Sequence, residues 1–253
     1  MYIDAHCHLN DEDFKEDREE VIKRAKALGV KAIIDSSIDF TSGLLSLELQ
    51  SKYKGFVFSS LGLDPSIMGE YEFARVLELI EQNRDSIVSI GEVGLDFFRI
   101  RDEEGQAKQR ERFRKFINLA KKLNKPLIVH SRSAGKYAIQ VLLENSPSKV
   151  LMHAFDGKVG WAEKGAEAGF YFSVPTSVWH SEQKMKLVSA LPVERILLET
   201  DSPVLGPKRG ERNEPANIHF AAKKIAEIKG MPLEEVERQT TQNAMKFFDL
   251  GIR

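Results

Sequence analysis

With a single cysteine, Cys7, in 253 residues, the chain has no internal disulfide to form. Nothing in it calls for an oxidising compartment, and a reducing cytoplasm is the expected setting. No apolar run approaches the ~20 residues needed to cross a bilayer. Acidic and polar residues follow closely on Met1, so neither secretion nor a membrane span is expected. An excess of one charge is also missing. The formal net charge of -1 excludes a uniformly basic nucleic-acid binder but leaves room for a local positive rim. No Pro/Gly/Ser-rich linker or low-complexity tract divides the chain, so one domain over residues 1–253 is the simplest account. No G-x-G-x-x-G opens a helix and no G-x-x-x-x-G-K-[ST] is present, which weighs against dinucleotide and P-loop readings.

What is present is an alternation of short apolar runs with longer stretches of helical period. The strand candidates are 2–5, 31–35, 56–60, 86–90, 126–130, 149–153, 169–174 and 195–199. Amphipathic segments lie between them, among them 18–29, 73–83 and 109–124. In the first, Val21, Ile22, Ala25 and Leu28 share one face and Gly29 falls at the C-cap position. Near-continuous hydrophobic strands separated by helices indicate a parallel sheet, and eight such units match a (β/α)₈ TIM-type barrel. An open doubly wound sheet is the runner-up. Two further helical patterns after about 215 would pack around and close the barrel.

In such a barrel, functional residues gather where strands end at their C-terminal side. His6 and His8 follow the first strand and Glu92 the fourth. His130 and His153 close the fifth and sixth, and Asp201 follows the eighth. Alternation in extended backbone points His6 and His8 the same way and Cys7 oppositely. Imidazole nitrogens with carboxylate oxygens suit Zn²⁺ or Mn²⁺ and tolerate Mg²⁺. Four histidines and two acids exceed the needs of one tetrahedral ion, so two divalent ions are expected, with Glu92 as a bridging carboxylate.

The runs "DAHCHL", "GEVGLDFF", "VHSR", "MHAFDG", "LLETDSP" and "KRGERNEP" resemble, in order, the signatures of the TatD family of metal-dependent deoxyribonucleases within the amidohydrolase-like superfamily. The resemblance implies one metal position held by His6, His8, Glu92 and Asp201, and a second held by Glu92, His130 and His153. The chain departs from the family at "GLDP", where Asp64 stands in place of a histidine. An acid there would repel a phosphate unless a cation pairs with it.

Two ions sharing a water suit phosphodiester cleavage, with Asp201 as the base that accepts the water's proton. Arg132 and Lys158, with Lys208, Arg209 and Arg212 in the loop after strand eight, are placed to grip phosphates. Such contacts carry no sequence information and weaken with salt. The resemblance gives the "RGERNEP" loop a substrate role that includes Asn213, while the residue pattern alone allows Asn213 to be a helix cap. Phe97, Phe98 and Phe155 are candidates for base stacking or for barrel packing. Asp4 and Asp96 read as carboxylates that orient their neighbours. His180 and His219 fall outside the motifs, and 108–116 reads as an amphipathic crossover helix. The expected activity is a DNase or exonuclease acting on single-stranded DNA or strand ends, with no membrane and no obligate protein partner. Hydrolysis of a small amide, ester or lactone is the alternative, and an inactive binding module a third reading.

Overall fold

The computed structural model describes residues 1–251; the last two positions of the expected domain lie outside the described residues. Eight parallel strands run in the order β1 Tyr2–Cys7, β2 Val30–Ser36, β3 Val57–Leu61, β4 Ser89–Gly94, β5 Leu127–His130, β6 Val150–Met152, β7 Tyr171–Val174 and β8 Ile196–Leu198, each paired to the next. Crossovers are supplied by α1 Arg18–Ala27, α2 Phe40–Lys52, α3 Glu70–Gln82, α4 Glu103–Leu123, α5 Gly135–Asn145, α6 Val159–Glu167 and α7 Glu182–Ala190, with α8 Ile218–Lys229 and α9 Leu233–Phe248 after β8. This is the TIM-type (β/α)₈ fold that the alternation implies. No helix among the described residues is long and apolar enough to cross a membrane.

Local chemistry sets the element ends. The Asp39 carboxylate accepts from Ser42 N at 2.7 Å, and Ser42 Oγ accepts from Asp39 N at 3.0 Å, a capping box that starts α2. Asp102 caps α4 by accepting from Gly105 N at 2.7 Å. On α4, Phe113, Phe116 and Ile117 are buried against the barrel, as an amphipathic crossover requires.

The core has two parts, divided by the strands. Residues facing the helices, such as Ile33, Val57, Val129, Val150 and Phe172, form the larger cluster. Ile3, Ala5, Ala32, Ile34, Ile128, Leu151 and Leu197 fill the barrel's interior, and Phe247 and Phe248 of α9 plug its base. Above this apolar floor lie Ser36, Ser60, Ser173 and Glu199, all buried and each hydrogen-bonded. Burying polar groups without partners costs several kcal/mol, and here the partners lie within the layer or in the residues above it.

Strand ends depart from the sequence expectation most at β1, which runs on to Cys7 and takes in His6, and at β4. The apolar run 86–90 suggested a fourth strand ending before Glu92, whereas β4 spans Ser89–Gly94 and contains it. The reason is close packing on β5, where Val93 and Gly94 pair with Val129 and His130. A Cβ at Gly91 would approach Ile128 Cβ to 2.6 Å, and one at Gly94, whose φ is +145°, would approach His130 O to 2.1 Å. Glycine lets the strand continue where β propensity alone reads a turn.

Gly94→Ala is expected to lower the unfolding free energy by about 2 kcal/mol or more, because its neighbour is backbone and cannot move aside. A urea midpoint unchanged from the parent would contradict this packing.

Candidate metal centre

Strand alternation carries two histidines inward directly. On β5, Ile128 faces the interior and Val129 the helices, so His130 faces inward; Leu151 and Met152 do the same for His153. The first strand breaks this rule. Ile3 and Ala5 lie in the inner cluster and Cys7 in the outer one, so unbroken alternation would turn His6 outward. A register shift between Asp4 and Cys7 corrects the phase, and His6 and His8 both reach the interior. On β4, a shift between Ile90 and Val93 accompanies Glu92. Asp201 arrives from the loop after β8 in a left-handed conformation, φ +52°.

The structure brings all six expected ligands together. His6 Nε2 and His8 Nε2 are 3.2 Å apart, and Glu92 Oε2 is 3.4 Å from each. Asp201 Oδ1 lies 3.3 and 3.4 Å from the same two nitrogens. Glu92 Oε1 faces the other pair, 2.6 Å from His130 Nδ1 and 3.6 Å from His153 Nε2. The groups His6–His8–Glu92, Glu92–His130–His153 and His6–His153–Asp201 each keep their donor atoms within 4.8 Å of one another.

Behind these donors, partners hold His6, His8 and His130 by the far nitrogen, and a carboxylate faces that of His153. His8 Nδ1 lies 2.9 Å from Ser36 O, and a carbonyl only accepts, so that nitrogen carries a proton and Nε2 is the one that can give its lone pair once the ring is neutral. His130 Nε2 is 3.1 Å from Asp96 Oδ2, while Asp96 Oδ1 accepts from the Phe98 and Arg99 amides. His153 Nδ1 is buried without a hydrogen bond, 3.4 Å from Glu199 Oε2, and Glu199 accepts from Ala154 N at 2.8 Å. Ser36 Oγ is 3.0 Å from His6 Nδ1. His130 Nδ1 is buried with no hydrogen bond of acceptable direction, despite its nearness to Glu92. Converging imidazole lone pairs, carboxylate oxygens and this orphaned nitrogen fit a divalent cation.

The electrostatics of the metal-free cluster point the same way. Burial opposes every charge here, but the carboxylates overcome it at His8, and Glu199 and Glu92 do so at His153; both imidazoles are raised well above their ordinary value. At His130, Glu92 and Asp96 outweigh burial and push the ring up to about 9. In return, Glu92 is held well below the usual carboxylate range against its burial by His130 and His153, and Asp201 is lowered by His153, His6 and His8.

A cavity of about 510 Å³ opens above the cluster. Arg132 lines it, with its guanidinium 3.9 Å from the centroid of the exposed Phe98 ring. Lys158 lines a neighbouring cavity, and Arg209 is exposed in the loop after β8. Arg212 is engaged elsewhere, donating to both Asp17 oxygens at 2.9 and 2.6 Å. Asn213 is a correction to the substrate-loop expectation. It is fully buried, and its Nδ2 donates to Thr176 Oγ1, Thr200 O and Val204 O, so it latches the loop and meets no solvent. Of the stacking candidates, Phe155 is buried against Phe172 and Phe97 is half-buried; Phe98 alone is exposed. Asp64 does have its cation: Arg99 Nη1 lies 2.8 Å from Oδ2. His180 and His219 bond to Gly206 O and Ala216 O, outside the cluster.

Three residues of the site escaped the sequence reading. Glu199 was detectable, since Leu197 faces inward and alternation carries Glu199 to the same side. Arg99 carries no motif. Lys184 is buried in the cavity wall, donating to Ala154 O and Phe155 O, both at 2.6 Å, and burial lowers it to about 8. Nothing in its helical surroundings marks it out.

The profile of the family described as TatD related DNase matches residues 3–249. The human deoxyribonuclease TATDN3 is 43% identical over 257 residues, covering 97% of this chain and 94% of its own. YabD of Bacillus subtilis, named a metal-dependent hydrolase, is 36% identical over 260 residues, covering 99% and 100%. The crystal structure of YjjV, a TatD homologue from Escherichia coli, superposes with a TM-score of 0.89 over 98% of both chains at 24% identity, a likeness of fold.

A raised His130 makes metal uptake proton-coupled. At pH 7 the metal-free ring is protonated, so adding a divalent ion to chelator-treated protein is expected to release at least one proton from it. Apparent affinity should climb with pH at least to about 9, where His130 gives up its proton. Calorimetry in buffers of different ionisation enthalpy checks this, and a buffer-independent enthalpy would contradict it.

Proposed function

The chain belongs to the TatD-related DNase family of metal-dependent hydrolases, and on that premise we propose that it hydrolyses phosphodiester bonds of DNA, acting on single strands or strand ends with two divalent ions, Mg²⁺, Mn²⁺ or Zn²⁺. The observation that carries this reading is Glu92, whose two carboxylate oxygens face different histidine pairs. One carboxylate so placed is suited to bridging two ions. His6, His8, Glu92 and Asp201 would hold the first, and Glu92, His130 and His153 the second.

When bound, such ions supply Lewis acidity, lowering the pKa of water and neutralising charge that grows on phosphate oxygens. The protein's own residues do the rest. Ser36 and Asp96 keep His6, His8 and His130 oriented, and the Glu199 carboxylate faces His153. Asp201, ionised at neutral pH, orients the attacking water and takes its proton at the carboxylate. Arg132 on the cavity wall, with Arg209 farther out, draws the phosphate backbone in without reading bases. Arg99 cancels the charge of Asp64, so that acid does not repel the substrate. The buried, unpaired thiol of Cys7 supports a cytoplasmic setting.

Asp201→Asn is expected to lower kcat on end-labelled single-stranded DNA by at least about 100-fold, with metal content measured alongside. Chelator should abolish parental cleavage, and added salt should weaken strand binding. Cleavage that persists in chelator, or activity confined to neutral esters or amides, would refute the reading.

A further inference from the structure

The molecule carries a second concavity beside the metal centre. It is a cavity of about 360 Å³ between the starts of α5 and α6, and Asp156 lines both cavities. Lys136, Tyr137, Lys158 and Trp161 line it, the first three exposed and Trp161 half-buried.

From the metal cavity to this one runs a strip in which cations alternate with aromatic rings. Arg132 stacks 3.9 Å from Phe98, and Arg110 lies 5.7 Å from Phe97, whose ring is 5.3 Å from that of Tyr137. Lys136 Nζ is 5.7 Å from the Tyr137 centroid and 5.9 Å from that of Trp161, which Lys164 approaches to 4.5 Å. Among the described residues, none of Arg110, Arg132, Lys136, Lys158 and Lys164 has an acidic partner within ion-pair distance. Their neighbours Arg114 and Lys115 do, in Glu144 and Glu111. The acid in the cavity wall, Asp156, is occupied by Ser133 N at 2.8 Å.

Cations free of ion pairs, interleaved with exposed and half-buried rings, are the chemistry that holds single-stranded nucleic acid, phosphates on the cations and bases on the ring faces. We infer that the α5–α6 cavity is a nucleotide subsite. A single strand engaged at the metal centre continues over Arg132 and Phe98, and a flanking nucleotide places its base against Tyr137 or Trp161 and its phosphate between Lys136 and Lys158. The inference rests on the phosphodiesterase reading for its direction, but its binding chemistry is separable from catalysis. It predicts that strands reaching this subsite bind tighter than dinucleotides, which end before it.

Two measurements test it, on the parent, on Lys136→Gln/Lys158→Gln and on Trp161→Phe, all changes on the surface or at its edge. The first is made in chelator, where no cleavage occurs. Oligothymidylate is expected to quench Trp161 fluorescence in the parent and not in Trp161→Phe. Its Kd is expected to rise about tenfold in the double lysine variant, with a salt slope shallower by about 1.4. The second adds metal: KM for the oligonucleotide rises about tenfold with kcat unchanged, while dinucleotide hydrolysis stays at the parental rate. Parental binding and cleavage of long strands by these variants overturns the subsite and leaves the phosphodiesterase reading standing, as does an equal loss on dinucleotide and oligonucleotide. Quenching and lysine-dependent binding in a protein that cleaves no phosphodiester supports the subsite and overturns the activity. Failure of the parent both to bind and to cleave overturns both.

Discussion

The closure of the barrel between its first and last strands is the constraint on which the site depends. The Asp4 carboxylate receives both the Thr200 amide, at 2.9 Å, and the Thr200 hydroxyl, at 2.6 Å. Beside it, Asp201 N donates to His6 O at 3.0 Å and His8 N to Ser202 O at 2.8 Å. These bonds join residues far apart in the chain, and closing so long a loop becomes favourable only once the intervening strands have paired. The same seam brings Asp201 to the two histidines of β1. Barrel closure and assembly of the first half of the centre are therefore one event.

Inside that closed barrel, charge balance follows from desolvation. Glu92 and Asp201 are buried, and an isolated buried carboxylate costs several kcal/mol even after relaxation. Four imidazoles around them make the charges tolerable, by holding protons or by turning lone pairs toward a cation. Of the acids behind the rings, Asp96 is satisfied by the Phe98 and Arg99 amides, and Glu199 by the Ala154 amide and the Ser173 hydroxyl. The cluster is thus tuned as a set: removing any one acid changes the proton affinity of the histidines facing it.

Outside the barrel, the cations divide into two kinds. Arg212 and Arg24 are paired with Asp17 and Glu214 and fasten the loop after β8 to α1. Asn213 latches the same loop from within. Arg132, Lys136 and Lys158 have no such duties and lie on the side of the rim where α5 and α6 begin. A residue's type and its place in a motif do not distinguish these roles, because the distinction lies in which acid the fold brings next to it.

Eight apolar runs alternating with amphipathic segments were enough to imply the barrel, since strand and helix periods are local properties of the chain. His130 and His153 were equally legible, because regular alternation behind them, Ile128 and Leu151 inward, decides where they point. The inward turn of His6 and the inclusion of Glu92 in β4 were not decided by alternation: each comes with a register shift imposed by pairing with the neighbouring strand. Lys184, Arg99 and the burial of Asn213 likewise came from tertiary contacts with distant residues. The sequence by itself determined the periodicity and the inventory of donors. Only the folded barrel decided which donors converge and which cations stay free, because convergence and pairing are relations in space between residues that the chain keeps far apart.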